Sequence, residues 1–249
     1  MKTSIWMLGA LALATVSSNA NASQTIWFDS DHTPYSGDYP NGGALTFSTA
    51  TANAKVSAWS IGTDNKIYQA QLGVWDGGIG VKNGRSDDSH TIDNSGRKDF
   101  IVIQFDKLVE LATANFNTGW HGFRDTDATI GYMISQAPFA TPVNLSGANQ
   151  SILSSYNLYG SGSIGNSGNS SRNINPGGNI GNLWLIGASF NNPEGSVNLD
   201  GFKLEKLTFS AAVPEPATWM FMLVGMAGIG FTMRRKDKQT LRVIPSPID

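Results

Sequence analysis

The chain has 249 residues, of which 40% are hydrophobic and only 14% are charged, and its formal net charge is −2. It contains no cysteine, which excludes disulfide bonds, thiol catalysis and thiolate metal sites. The segment 23–213 holds 11 Lys and Arg against 16 Asp and Glu, a net charge of −5, which argues against nucleic-acid binding. The 28 glycines and the low charged fraction favour turns and strands, so the composition is typical of an all-β protein.

The segment 1–22 has the three parts of a secretory signal peptide. Lys2 supplies the positive charge, residues 5–16 (IWMLGALALATV) form the apolar stretch, and the small residues up to Ala22 offer cleavage sites. We expect signal peptidase to cleave after Ala22, with cleavage after Ala20 as the alternative. An uncleaved anchor is the other interpretation, but the apolar stretch is short for a membrane-spanning helix.

The segment 213–238 at the other end of the chain carries the most specific pattern. The motif Pro214, Glu215 and Pro216 comes first, and an uncharged apolar stretch follows at 217–233 (ATWMFMLVGMAGIGFTM). A basic cluster of Arg234, Arg235 and Lys236 comes directly after this stretch. An apolar stretch of this length can span the hydrocarbon layer as a helix. The basic cluster should stay cytoplasmic by the positive-inside rule. We therefore expect 23–212 to lie outside the membrane and 239–249 to form a cytoplasmic tail.

This order of features closely resembles the PEP-CTERM sorting signal of bacteria that make exopolysaccharide. The resemblance covers 213–238 and implies that an exosortase, a membrane-embedded cysteine transpeptidase, reads the Pro-Glu-Pro segment and that the tail is removed. The tail at 239–249 is longer than the brief basic ending usual for this signal. An ordinary single-pass anchor is the alternative.

Between the two ends, short β-type runs alternate with Gly- and Asn-rich turns, and no helical periodicity extends far. The predicted strands are 26–28, 44–48, 55–61, 67–72, 100–105, 108–116, 127–134, 182–189 and 202–209. Strands at this spacing without intervening helices favour a single jelly-roll-like β-sandwich over 23–212. Trp59 and Trp184 lie in apolar strand patterns and are expected to be buried. The segment 159–180 is rich in Gly, Ser and Asn, so we expect a long mobile loop there.

Three short motifs follow one another in the first half of the domain: GGIGV at 77–81, HTIDN at 90–94 and DFIVI at 99–103. Asp-Thr-Asp at 125–127 and DGFKL at 200–204 fit the same outline. Together they resemble a family of exosortase-dependent surface proteins. The resemblance implies a jelly-roll-like ectodomain similar to carbohydrate-binding modules, and no enzymatic activity comes with it.

Carboxylate and amide side chains accumulate beside the predicted strands, and Ca²⁺ is bound by about six to eight oxygen ligands of this kind. The candidate calcium ligands are Asp93, Asn94 and Asp99, with Asp125 and Asp127 joining them or forming a second site. Ordinary turn formation is the alternative, because Asp and Asn also bond to their own backbone and no Asp-x-Asp-x-Asp-Gly loop is present.

Two tryptophans flank glycine-containing turns and are the candidate glycan contacts, because pyranose rings stack on exposed indoles. These are Trp75 beside 77–78 and Trp120 in the sequence Gly-Trp-His-Gly at 119–122. The three histidines show no zinc spacing, and no Gly-x-Ser-x-Gly elbow is present. We therefore expect no catalytic residue, and we expect His90 and Asp93 to pin a loop by hydrogen bonds.

The sequence thus predicts an exported, non-enzymatic protein of the cell surface or extracellular matrix. We expect it to be processed by signal peptidase and an exosortase, to be held transiently in the membrane with its C-terminus in the cytoplasm, and to associate with exopolysaccharide. One alternative is a secreted carbohydrate-active hydrolase that uses paired Asp residues. A second is a plain single-pass anchored protein with a structural or adhesive role.

Overall fold

The computed structural model describes residues 23–84, 87, 89–118, 125–161, 170–191, 199–211, 223–227 and 229. The chain divides into two units, Asn21–Ala212 and a second one composed of Met1–Ala20 and Val213–Asp249. The expected signal peptide, the Pro-Glu-Pro segment, the basic cluster and the tail 239–249 lie outside the described residues.

Only a small part of the expected membrane span at 217–233 is described. Residues 223–227 and 229 are helical, and their apolar side chains are exposed. Among the residues whose structure is described, no helix is both long and apolar enough to cross a membrane.

The described part of the unit Asn21–Ala212 is built from fourteen strands and one short 3₁₀-helix, Gln150–Ser155. The strands are β1 (Ser23–Trp27), β2 (Gly37–Asp38), β3 (Ala44–Ser48), β4 (Asn53–Ile61), β5 (Ile67–Gln69), β6 (Gln71–Trp75), β7 (Gly78–Lys82), β8 (Ile92–Asp93), β9 (Lys98–Asn117), β10 (Ala128–Met133), β11 (Tyr159–Ser161), β12 (Ser170–Asn173), β13 (Ile180–Ala188) and β14 (Gly201–Ala211). They join in one large antiparallel sheet, which confirms the all-β prediction.

Strand β9 is the longest and holds the sheet together. Its first half, residues 98–105, pairs with β4, and β13 pairs with residues 100–104 and 109–110. Its second half, residues 109–117, pairs with β14, and residues 113–116 also pair with β12. The predicted strands 100–105 and 108–116 are therefore one continuous strand.

The buried apolar side chains of the described residues form two clusters, one on each face of the first half of β9. Neighbouring strand residues point to opposite faces. Ile101, Ile103 and Phe105 consequently belong to the first cluster, and Phe100 and Val102 belong to the second. This two-sided burial explains why the run 100–105 is apolar without alternation.

Trp59 and Trp184 are buried as expected, at 1% and 0% exposure. The predicted strand 44–48 matches β3, whereas the predicted strand 67–72 is broken at Ala70 into β5 and β6.

The prediction of a long mobile loop at 159–180 is wrong at both of its described ends. Residues 159–161 form β11 and pair with β10, and residues 170–173 form β12 and pair with β9. Backbone hydrogen bonds to existing strands order these segments although they contribute few apolar side chains. The guanidinium of Arg172 adds hydrogen bonds to Thr126 and Ser161. Residues 162–169 lie outside the described part of the chain.

Two glycines of the GGIGV motif are required because another backbone segment lies against them. A Cβ atom on Gly80 would collide with the carbonyl oxygen of His90, and one on Gly78 would collide with the carbonyl oxygen of Leu204. Gly78 also has a φ of +112°, which side-chain-bearing residues rarely adopt. The motif therefore lets β7 lie directly against β14 and against the segment that contains His90.

We expect Gly80→Ala to lower the free energy of unfolding by about 2–4 kcal/mol, because the new Cβ must displace backbone atoms. Gly160→Ala is the matched control, since Gly160 lies in a strand and a Cβ there meets no atom within 4 Å. The control should change stability by less than about 0.5 kcal/mol. Urea unfolding followed by tryptophan fluorescence measures both variants, and equal effects would contradict this account of the motif.

Candidate functional site

His90 joins the HTIDN motif to the strands beneath it. Its Nδ1 lies 3.5 Å from Asp38 Oδ1, and its Nε2 lies 3.3 Å from Lys82 Nζ. Because a lysine ammonium can only donate, Nε2 is assigned as the acceptor and the ring proton is placed on Nδ1. The backbone of His90 has a φ of +50°, a left-handed conformation that is uncommon outside glycine. Its ring centroid lies 5.4 Å from that of Trp75.

Trp75, one of the two candidate glycan contacts, is partly buried by this packing against His90. Its indole Nε1 is buried and has no hydrogen-bond partner among the described residues. Its role in glycan binding stays a prediction. Trp120, the other candidate, lies outside the described residues.

Asp93 and Asp99, two of the candidate calcium ligands, lie in a buried polar cluster with Asn83, Ser89 and Thr91. Thr91 Oγ1 and Ser89 Oγ donate to Asp93 Oδ2 at 2.7 and 3.0 Å. Asn83 Nδ2 donates to both carboxylate oxygens of Asp99 at 2.9 and 3.0 Å. Burial raises the pKa of Asp93, and burial together with the charge of Asp93 raises the pKa of Asp99 well above its usual range.

Asp125 and Asp127, two further candidates, meet Asp200 in an acidic trio whose ligand oxygens all lie within 4.8 Å of one another. Asp125 and Asp200 are 3% and 1% exposed and form an isolated parallel bridge. Asn94 joins the trio, because its Nδ2 donates to Asp200 Oδ2 at 2.6 Å and its Oδ1 accepts from the backbone N–H of Asp200 at 3.0 Å.

The structure therefore divides the five candidate ligands into two groups. Asn94, Asp125 and Asp127 come together, whereas Asp93 and Asp99 belong to the separate buried cluster. Asp200 was missed as a candidate ligand. Its place in the DGFKL motif at the start of β14 was the available signal, but only strand pairing brings it to Asn94, which is 106 residues away.

Arg172 lies beside the acidic trio. Its Nη1 donates to Thr126 Oγ1 at 2.8 Å, and its guanidinium carbon lies 4.1 Å from the centre of the Phe116 ring. Burial lowers the pKa of Arg172, while the charges of Asp127 and Asp125 act in the opposite direction. The guanidinium thus offsets part of the negative charge of the trio.

The trio offers the hard oxygen ligands that Ca²⁺ prefers, and calcium binding there stays a prediction. With a Kd of about 10⁻⁴–10⁻³ M, typical of extracellular calcium modules, about 10 mM Ca²⁺ should stabilise the fold by about 1.4–2.7 kcal/mol. Asp200→Asn should abolish this gain, and Asp31→Asn, at an exposed position, should retain it. Urea unfolding with and without Ca²⁺ measures the effect; an unchanged wild-type stability would contradict calcium binding.

A cleft of about 600 Å³ lies next to the trio, with Asp127 on its wall. At the cleft, Gly160 of β11 contributes no side chain, and the space above it is open. Thr129 of β10 pairs with Gly160 of β11 on one side and with Gly187 of β13 on the other. Paired residues on neighbouring strands share a face of the sheet, so Thr129 stands between two positions without side chains.

The walls of the cleft come from separate parts of the chain. Leu153 comes from the 3₁₀-helix and Leu158 from the segment after it, whereas Lys98 starts β9 and Phe190 follows β13. Phe190 is held by two hydrogen bonds: its backbone N–H donates to Thr129 Oγ1 at 2.9 Å, and its carbonyl oxygen accepts from Lys98 Nζ at 2.6 Å. None of these residues was predicted from the sequence as a site residue.

Comparison with known proteins bears on the C-terminal segment. A family model described as the PEP-CTERM protein-sorting motif matches residues 212–236. No curated protein and no solved structure matches the chain. The match confirms the resemblance found at 213–238. The chain is therefore an exported cell-surface protein that carries a PEP-CTERM protein-sorting motif and is sorted by an exosortase system.

Proposed function

We propose that this protein is a non-enzymatic component of the cell envelope or extracellular matrix that associates with the exopolysaccharide of its host. The observation that carries the proposal is the sorting motif at 212–236, because it delivers the β-rich unit to the outside of the cell. The net charge of −5 over 23–213 and the cleft beside Asp127 support a role in binding small or polymeric ligands other than nucleic acid.

In this proposal signal peptidase removes 1–22, and the apolar stretch 217–233 holds the chain in the membrane until the exosortase acts. The chain is then transiently a single-pass protein with a cytoplasmic C-terminus. The uncharged sequence of 217–233 and the basic cluster after it support this topology. The helical conformation of residues 223–227 is compatible with it.

We further propose that the large sheet folds over as a jelly-roll-like sandwich. Support comes from β9, whose first half pairs with β4 and whose second half pairs with β14 along one edge, while β13 and then β12 pair along the other edge. A single core cluster also collects side chains from both sets of strands, such as Val56 of β4 and Leu207 of β14. A ligand cleft on an outer face of such a fold is compatible with the resemblance to carbohydrate-binding modules.

The absence of catalysis is part of the proposal. Glycoside hydrolases use two carboxyl groups about 5–5.5 Å apart in retaining enzymes and about 6.5–9.5 Å apart in inverting enzymes. Asp127 is the single carboxylate among the described residues that line the cleft. Its neighbours Asp125 and Asp200 are buried, and their oxygens lie within 4.8 Å. This geometry favours a binding role over hydrolysis.

Fractionation of a culture of the host tests the proposal. The protein should be recovered with the extracellular polysaccharide, and a variant lacking Pro214–Pro216 should remain with the membranes. Recovery of the wild-type protein in fractions free of polysaccharide would refute the association. Release of reducing sugars from that polysaccharide by the purified protein would refute the non-enzymatic role and support the hydrolase alternative.

A further inference from the structure

We infer that the cleft beside Asp127 is the glycan-binding site of this protein and that its ligand is a short segment of neutral, polyhydroxylated oligosaccharide. The inference rests on the proposed association with exopolysaccharide and adds to it a location and a class of ligand. Three properties of the cleft carry it: a preformed floor, a fixed aromatic wall and a lining with balanced charge.

The floor is set by backbone pairing and therefore exists before any ligand arrives. Gly160 of β11 and its partner Thr129 of β10 line this floor. On the other side of Thr129, the missing side chain of Gly187 leaves the room that the ring of Phe190 occupies. A Cβ atom on Gly160 would meet nothing within 4 Å, so the space above this strand is open. The resulting cleft of about 600 Å³ lies within the range of about 300–1,000 Å³ that small-ligand sites occupy.

The aromatic wall is held in place from both sides. The ring of Phe190 packs edge-on against Phe100, with ring centroids 5.9 Å apart, and a Cβ on Gly187 would lie 3.0 Å from its Cε1 atom. The hydrogen bonds to Thr129 and Lys98 fix its backbone. Phe190 is nevertheless partly exposed. A rigid, partly exposed aromatic ring gives the C–H face of a pyranose a surface on which to pack.

The other residues that line the cleft can form hydrogen bonds with the hydroxyl groups of a sugar. Side-chain hydroxyls and amides, which both donate and accept hydrogen bonds, contribute to the lining; they belong to Gln150, Ser151, Ser154, Ser161 and Asn191. Lys98 and Asp127 bring one positive and one negative charge to the described lining. Because these two charges balance and the carboxylates of Asp125 and Asp200 lie close to that of Asp127, the cleft does not favour an acidic sugar such as a uronate. The apolar walls and polar rim favour a ligand with C–H faces and hydroxyl edges.

The test uses the mature protein purified from its host and the isolated host polysaccharide as the immobilised ligand. Gly160→Trp and, independently, Ser154→Trp place a large side chain at the cleft from two different elements. Both positions are exposed, so the fold should be retained, which circular dichroism checks. Each variant should weaken binding by at least about tenfold. Thr46→Trp, at an exposed position of β3 that is not part of the cleft lining, is the matched control and should bind like the wild type.

Competition identifies the class of ligand. Neutral hexasaccharides of glucose or mannose should displace the wild-type protein, and hexauronates should not. Displacement by hexauronates alone, or by a tryptic digest of casein alone, would overturn the assignment to a neutral glycan. If both tryptophan variants bind the polysaccharide as tightly as the wild type, the cleft is not the glycan-binding site, and the proposed function is unaffected. Failure of the wild type to bind the polysaccharide at all would instead overturn both.

Discussion

The pairing register of β9 determines where the neighbouring strands of the ectodomain lie. The twenty residues of β9 form one unbroken strand. The strands that pair with each half of β9 come from distant parts of the chain. Pairing of Phe100 with Gly187 fixes the positions of Thr129 and Gly160, so the floor of the cleft follows from this register. Pairing of β9 with β14 likewise positions the start of β14, where Asp200 meets Asn94.

The short motifs in the first half of the domain act as contacts between backbone segments. Gly78 and Gly80 permit close approach, His90 bridges Asp38 and Lys82, and Asn94 exchanges hydrogen bonds with Asp200. The same stretch therefore ties together strands that are far apart in the chain. These contacts give the GGIGV and HTIDN motifs a structural role.

Local signals in the sequence predict the strands whose own side chains fill the core, such as 44–48 and the run around Trp59. Local signals fail to predict a strand where the segment is ordered by pairing with another strand. Residues 170–173 lack an apolar pattern and are ordered by β9 and by Arg172. Asp106 and Lys107 separate two predicted strands in the sequence, yet β9 continues through them, and both are exposed. The acidic trio was anticipated only in part, and the cleft not at all, because both are assembled from residues that no local pattern connects.

Export and sorting of the β-rich unit through the C-terminal motif determine the mass of the mature protein. We would therefore measure the intact mass of the protein recovered from the envelope and the culture medium of its host. We expect a polypeptide that begins near Ser23 and ends close to the Pro-Glu-Pro segment. A mass that retains the chain through Asp249 would show a permanent anchor and would contradict sorting by an exosortase.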